Sequence, residues 1–320
     1  MKYSIITPVF NRADCIARCM DSVIRNLKHK IELEHIIVDD GSKDHTPQIV
    51  QEYANHHPHI KFISFRENRG TNAARNEAIT TSTGNFCIIL DSDDYLVDDA
   101  LATIDSIVGQ SNYHHYCFTP NDMEKVYSQN KILANKSSCV IKYEDFLLNR
   151  VAGDFVHVID SSILKKYPFH EDLRINEGVF FKRFYKEEKE ILFTNKIVTI
   201  RERNRTDSVT RSVFRNDKEA VGRTVKANTL LLKWFREDME KHEEGRVLIS
   251  QILMRTLDNV LILGNYKLAK EIMIEIEKLN RISIPQYLKL VYHLRFGRLY
   301  FLIGSIYINL KYNVLKAEID

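Results

Sequence analysis

Asp91, Ser92, Asp93 and Asp94 place three carboxylates on four consecutive residues. They follow an apolar run, Phe86 to Leu90, that reads as a buried strand. Left unneutralised, carboxylates this close repel and raise one another's pKa. A divalent cation relieves that repulsion. Mg²⁺ and Mn²⁺ prefer oxygen ligands, and Mg²⁺ is typically held by one or two carboxylates with substrate phosphates completing its shell. Open α/β sheets bind ligands at the carboxyl ends of their strands. The stretch therefore reads as a metal–diphosphate site at a strand end. A plainer reading competes: Asp93 or Asp94 caps a helix running toward Ile107. Taken alone, the four residues do not decide between the two.

The elements that must position this stretch alternate along the first hundred residues. Tyr3 to Thr7 is a short apolar strand stopped by Pro8. A helix follows, capped by Asn11 or Asp14, with Cys15, Ile16, Cys19, Met20, Val23, Ile24 and Leu27 at helical spacing. His35 to Val38 is a second strand, running into Asp39-Asp40-Gly41-Ser42-Lys43-Asp44. A helix from Pro47 to His56, a strand from Ile60 to Phe65, a turn at Asn68-Arg69-Gly70 and an Ala-rich helix from Thr71 to Thr80 complete the series. Strand–helix repetition predicts a parallel, doubly wound sheet covered on both faces. Its rim would gather Thr7, Pro8, Asp40, Arg75 and the Asp91–Asp94 cluster. A buried carboxylate such as Asp40 suits a nucleobase N–H, and an arginine suits a phosphate. Each feature has a plain alternative: a turn at Asp40-Gly41-Ser42, a solvated charge at Arg75.

Four segments in order resemble the family 2 glycosyltransferases, inverting enzymes of the GT-A fold that use nucleotide sugars. They are Thr7-Pro8-Val9-Phe10-Asn11-Arg12, Val38-Asp39-Asp40-Gly41-Ser42, Asn68-Arg69-Gly70-Thr71-Asn72-Ala73-Ala74-Arg75-Asn76 and Leu90-Asp91-Ser92-Asp93-Asp94. The resemblance is close over about the first hundred residues and looser to about Ser212. It implies a donor-nucleotide site made by Thr7, Pro8, Phe10, Arg12, Asp40, Asn68, Arg75 and Ser92, with Asp40 accepting from the base, uracil in a UDP-sugar. It implies that Asp91, Asp93 and Asp94 hold Mn²⁺ or Mg²⁺, which stabilises the leaving diphosphate.

An inverting transfer also needs a base for the acceptor hydroxyl. In similar enzymes it is an acid just before an aromatic helix, and Asn176-Glu177-Gly178-Val179-Phe180-Phe181 matches, with Glu177 as the base. Many relatives have Glu-Asp where this chain has Glu177-Gly178. A protein lacking the second acid could instead be a non-catalytic nucleotide- or glycan-binding protein with a decayed site. Glu171 and Asp172 are candidates for the acceptor or a substitute base. The basic loop after the strand beginning near Ile197 would close over the diphosphate through Arg203 and Arg205. A nucleotidyltransferase fits less well, because Thr7–Arg12 has no glycine. His114-His115 could suggest a metal, but such pairs in apolar runs are more often structural. Between Ser111 and Ile141 the pattern suggests sheet-edge strands and an acceptor loop.

Composition bounds the rest. Net charge is +3, too small to argue for nucleic acid. Five cysteines without a CxxC pair read as thiols of a reducing, cytoplasmic compartment. The N-terminal apolar stretch is too short for a signal peptide. No run reaches the eighteen or so apolar residues of a membrane span. From about Asn216 the pattern is helical only, so the expected division is a GT-A domain over 1–212 and an all-α domain over 213–320. Tyr287 to Leu310 is strongly apolar, and Arg281 to Asp320 holds six Lys/Arg against two Asp/Glu. That suggests either contact with an anionic membrane surface or a homo-oligomer interface. The expectation is a mixed, mainly parallel α/β sheet with a helical appendage. The enzyme would move a sugar to a glycan or lipid-linked acceptor in bacterial surface polysaccharide synthesis, peripheral on the cytoplasmic face of the inner membrane.

Overall fold

The computed structural model describes residues 1–27, 31–173, 176–201 and 218–308. The chain divides into two compact units, Met1–Asn204 and Arg205–Asp320.

Strand β1 (Lys2–Val9) has apolar residues at consecutive rather than alternate positions, and seven of its eight residues are buried. A strand buried on both faces belongs in the middle of a sheet. β1 pairs in parallel with β2 (Glu32–Asp39) on one side and β4 (Phe86–Ile89) on the other, and β3 (Ile60–Ser64) lies beyond β2. Helices α1 (Ile16–Asn26), α2 (Thr46–His56) and α3 (Thr71–Thr81) make the crossovers. Ile16, Met20 and Val23 of α1 share a core with Ile5, Ile37 and Ile88 of the sheet.

The second half of the unit changes pairing direction. It comprises β5 (Tyr95–Leu96), α4 (Ala100–Gly109), β6 (His115–Pro120), α5 (Glu124–Gln129), β7 (Ser138–Lys142), α6 (Tyr143–Leu147), β8 (Val156–Asp160), α7 (Ser161–Lys166), α8 (Gly178–Glu188) and β9 (Glu190–Ile200). The sheet runs β3-β2-β1-β4-β8-β6-β9-β5, with β7 also on β9. β8 is antiparallel to β4 and β6, while β6 and β9 are parallel. The expected mixed sheet is thus present, with its continuous parallel part in the first four strands.

Two local expectations fail and a third holds only in part. No helix starts at Asp93 or Asp94: β5 intervenes and α4 begins at Ala100, so the helix-cap reading of the acidic stretch is wrong. α1 starts after Cys15 with no side-chain cap, because Asn11 is used elsewhere. The sheet-edge reading of Ser111 to Ile141 holds for β7, which pairs with β9 alone, but not for β6, which lies between β8 and β9 and is buried on both faces.

One buried acid locks the parallel half. Glu34 on β2 accepts hydrogen bonds from Ser4 on β1 and from the Thr83 N–H before β4, and its carboxylate is 2.7 Å from Lys61 Nζ on β3. Burial alone would raise its pKa. The Lys61 ammonium and the hydrogen bonds outweigh burial and bring it from 4.5 down to about 2. A depressed carboxyl stabilises the fold above its unfolded value, and that contribution disappears as pH falls from 4.5 toward 2. Glu34→Gln should therefore lower stability at pH 7 by up to about 3 kcal/mol. It should also flatten the acid limb of a denaturation curve between those pH values.

The second unit is all helical among its described residues: α9 (Lys218–Glu240), α10 (Glu243–Ile262), α11 (Tyr266–Leu279), α12 (Gln286–Leu294) and α13 (Gly297–Ile308). Phe235, Met239, Leu257, Leu261 and Ile276 are among its buried residues. Asn265 caps α11 by accepting from the Leu268 N–H.

Candidate active site

The strands end at one rim. Val9 lies opposite Asp39, and Ile6 opposite Ile89. The chain past each strand stays in register, with the Asp40 N–H on the Val9 carbonyl at 2.8 Å and the Leu90 N–H on the Ile6 carbonyl at 3.0 Å. Two rim loops are tied together. The Asn11 N–H donates to Ser42 Oγ, and the Lys43 N–H donates to Asn11 Oδ1, both at 2.8 Å. Gly41 has φ +75°, and a Cβ there would lie 2.6 Å from the Glu67 carbonyl carbon. Only glycine fits where the backbone turns that way so close to its neighbour.

Asp40 is 3% exposed and accepts from the Arg69 N–H at 2.7 Å and the Gly70 N–H at 2.9 Å. It therefore sets the entry to α3, a role the sequence did not suggest. Phe10 is exposed at the rim, Arg12 is half-buried with its N–H on Thr46 Oγ1, and Asn68 is exposed. Pro8 and Ser92 are buried. Thr7 corrects its expectation. Its hydroxyl is buried against His35 Nε2 at 2.9 Å, and the residue has no exposed surface, so its side chain does not face the rim.

Helix α3 joins the two halves of the site. Asn72, Arg75 and Asn76 share one face at i, i+3, i+4 spacing, and Ala73, Ala74 and Ala78 are buried. Asn72 donates to the carbonyls of His170 and Leu173, each at 3.0 Å, and Asn76 exchanges two hydrogen bonds with the Phe169 backbone. These latches, each contributing about 1 kcal/mol, hold the segment before α8 against the sheet rim. Arg75 then reaches both acids. Its Nη2 is 3.1 Å from Asp91 Oδ1 and its Nη1 is 3.1 Å from Glu177 Oε1. Burial opposes its charge, but the two carboxylates outweigh burial and raise its pKa. The solvated-charge reading of Arg75 is wrong: its side chain is 13% exposed. Glu171 and Asp172 lie on the latched segment, Glu171 3.4 Å from Arg69 and Asp172 4.0 Å from His170. Gly178 is exposed, with open space around the position of a Cβ.

A second arginine meets the acidic stretch from the other side. β5 pairs Tyr95 with Ile200, so the next residues outward, Asp94 and Arg201, come together. Arg201 Nε is 3.4 Å from Asp94, and its Nη1 is 2.8 Å from Asp154. A cleft opens here, lined by Asp91, Asp94, Asp154, His157, Phe181 and Arg201. The sequence gives no signal for Asp154 and marks Arg201 only as the first residue of the basic loop; the pairing of β5 with β9 brings Arg201 to the acids. Asn72 and Asn76 did carry a signal: polar residues at helical spacing beside a small-residue face. Arg203 and Arg205 lie outside the described residues.

The acidic stretch offers oxygen donors, which suit Mg²⁺ or Mn²⁺. Among the described residues its three carboxylates do not form a converged set. The set whose donor atoms all lie within 4.8 Å of one another is His115, Cys117 and His157. One or two acids completed by diphosphate oxygens is the arrangement that fits. The His–Cys set is a soft nitrogen–sulfur environment, unsuited to those cations. His115 Nε2 and His157 Nδ1 are hydrogen-bonded at 3.0 Å, and burial lowers the pKa of both rings, His115 to about 3. His115 is thus a structural core residue, while His114 is exposed and 3.0 Å from Asp160.

The match to known proteins follows the same residues. The model of the family described as "Glycosyl transferase family 2" matches residues 4–127, which contain all the strand-end acids of the parallel half. The GalNAc(5)-diNAcBac-PP-undecaprenol beta-1,3-glucosyltransferase of Campylobacter jejuni is 30% identical over 221 residues, covering 67% of this chain and 69% of that protein. Among solved structures, S. aureus TarS 1-349 in complex with UDP-GlcNAc superposes with a TM-score of 0.62 at 17% identity, covering 98% of this chain and 92% of that one. The mannosyltransferase PcManGT of Pyrobaculum calidifontis, in complex with GDP-Man and Mn²⁺, gives 0.56 at 15% identity, covering 99% and 88%. A GT-A sheet with acids at its strand ends, joined to this sequence match, makes the chain a member of glycosyl transferase family 2, a glycosyltransferase.

Proposed function

We propose that the cleft moves a sugar from a UDP-sugar to a hydroxyl of a glycan or lipid-linked glycan, with inversion at the anomeric carbon. The observation that supports this best is Arg75, which holds the metal-motif acid Asp91 and the acid Glu177 on one guanidinium. Donor and acceptor chemistry would then meet in one frame. The acceptor hydroxyl gives its proton to Glu177 as its oxygen bonds to the anomeric carbon. The bond from that carbon to the diphosphate breaks on the opposite face, and its electron pair leaves with the diphosphate. Asp91 and Asp93, with Asp94 beside them, would hold Mn²⁺ or Mg²⁺, which offsets the charge on the departing diphosphate. Phe10, exposed at the rim, would offer its ring to a base, and Asp40, Arg12, Asn68 and Ser92 would border the donor nucleotide.

The relatives support the substrate classes. TarS has been captured with UDP-GlcNAc, and the name of the Campylobacter protein describes a lipid-linked oligosaccharide acceptor. A bacterial surface polysaccharide assembled on the cytoplasmic side of a membrane fits both. PcManGT was captured with GDP-Man, so the fold alone does not select uracil. Calorimetric titration tests the choice. UDP should bind in the presence of Mn²⁺ and at least about tenfold more weakly after chelation. GDP should bind less tightly than UDP. GDP binding without UDP binding would overturn the role of Asp40 with uracil, and the absence of binding by either would overturn the donor reading.

A further inference from the structure

The described residues expose fourteen large apolar side chains, and eight of them lie between Tyr287 and Ile306. They are not scattered. On α13, Leu299, Leu302, Ile303 and Ile306 recur at i, i+3, i+4, i+7, which is one face of a helix. On α12, Tyr287, Leu290 and Leu294 recur at i, i+3, i+7, and Phe296 lies between the two helices. All eight are about half exposed or more.

This face is not a core face left open. The inner sides of both helices are already packed. Leu288 is buried, the Gly297 N–H donates to Tyr266 Oη at 3.1 Å, and Tyr300 Oη donates to Asp258 at 2.6 Å. The helices are therefore apolar on a second side. A patch this large and contiguous on a soluble unit marks an interaction surface.

Charge selects the partner. Between Glu277 and Glu318 the sequence has no Asp or Glu, and it has seven Lys or Arg: Lys278, Arg281, Lys289, Arg295, Arg298, Lys311 and Lys316. A two-fold contact with a second copy would bring this patch against itself. Basic rims would then face each other with few acids at hand: Glu243 meets Arg281, and Glu277 lies 3.8 Å from Lys289. An anionic leaflet supplies the opposite charge along with an apolar interior. No helix among the described residues is long and apolar enough to cross a membrane. α13, with twelve residues, is about 18 Å long, against roughly 30 Å of hydrocarbon.

We infer that α12 and α13 form a monotopic docking face. It lies on an anionic bilayer surface with the apolar stripes in the headgroup–acyl boundary and Lys289 and Arg295 at the phosphates. Tyr287 and Phe296 fit the aromatic belt of that boundary. The inference stands apart from the donor assignment, since it uses none of the cleft residues.

The test is co-sedimentation of the full chain with vesicles of phosphatidylcholine alone and of phosphatidylcholine with phosphatidylglycerol. The wild type should bind the anionic vesicles and lose affinity in high salt. Leu302→Glu combined with Ile303→Glu should lower partitioning at least about tenfold. Both positions are more than half exposed, so the thermal transition should be unchanged. Lys289→Gln should weaken binding to anionic vesicles by about fivefold while leaving the neutral ones unaffected. No binding by the wild type, or equal binding by the double glutamate variant, would overturn the proposal. So would a wild-type dimer in sedimentation velocity that the double variant splits, without vesicle binding; the face would then be a self-association surface.

Discussion

Glu177→Gln should turn over about 10²- to 10⁴-fold more slowly than the wild type while binding UDP with the same affinity. The substitution removes the proton acceptor and one of the two negative charges on Arg75, but leaves Asp91 to hold that guanidinium. A glutamine at 177 keeps the length and shape of the side chain, and its amide oxygen can still accept from Arg75 Nη1, now 3.1 Å from Glu177 Oε1. Glu177 is the residue before α8, with helical φ and ψ, so its backbone imposes nothing an amide would disturb. A loss of kcat with unchanged calorimetric UDP binding is the expected pair of results. An unchanged kcat would defeat the assignment and transfer the role to Glu171 or Asp172, which the Asn72 and Asn76 latches hold on the same segment. Gly178 provides a companion experiment. Space is open around its Cβ position, so Gly178→Asp would install the second acid of many relatives without a clash. If Glu177 is sufficient as base, that variant gains little.

Asp93→Ala should cost at least about a hundredfold in kcat/KM and remove the Mn²⁺ dependence of UDP binding. Without a cation, Arg75 and Arg201 flank the acidic stretch and neutralise Asp91 and Asp94 from opposite sides. A diphosphate adds further negative charge to this rim, and two arginines already committed to four carboxylates (Asp91, Glu177, Asp94 and Asp154) cannot neutralise it all. A divalent cation on the strand-end acids can. Lewis-acid stabilisation of a leaving group contributes several kcal/mol, and about 3 kcal/mol is a factor of roughly a hundred. Chelation of the wild type should reproduce the loss, and added Mn²⁺ should restore the wild type but not the variant. Mn²⁺-dependent UDP binding that survives both Asp93→Ala and Asp91→Asn would place the cation elsewhere.

The strand ends were legible because they are local. An apolar run that stops in charge, as at Leu90-Asp91 and Val38-Asp39, marks a buried strand reaching solvent, and alternation with helices makes those ends adjacent. The same locality gathers Gly70, Asn72, Arg75 and Asn76 in one motif along α3. It also explains the errors. In the sequence Pro8 ends the first strand and puts Thr7 at the rim, but β1 runs on to Val9 and the Thr7 hydroxyl is buried against His35. Asp93 and Asp94 resembled a helix cap because a helix does follow, yet β5 takes its place in the sheet by pairing with β9, far along the chain.

By itself the sequence determined the strand–helix alternation, the acids at the strand ends and the single acid at the start of α8. Each depends on residue type and on spacings of a few residues. Only the tertiary structure decided which charges meet: Arg75 with Asp91 and Glu177, Arg201 with Asp94 and Asp154. Most of those pairs join segments far apart in the chain, through strand register and the latching of α3. No local pattern encodes such distances.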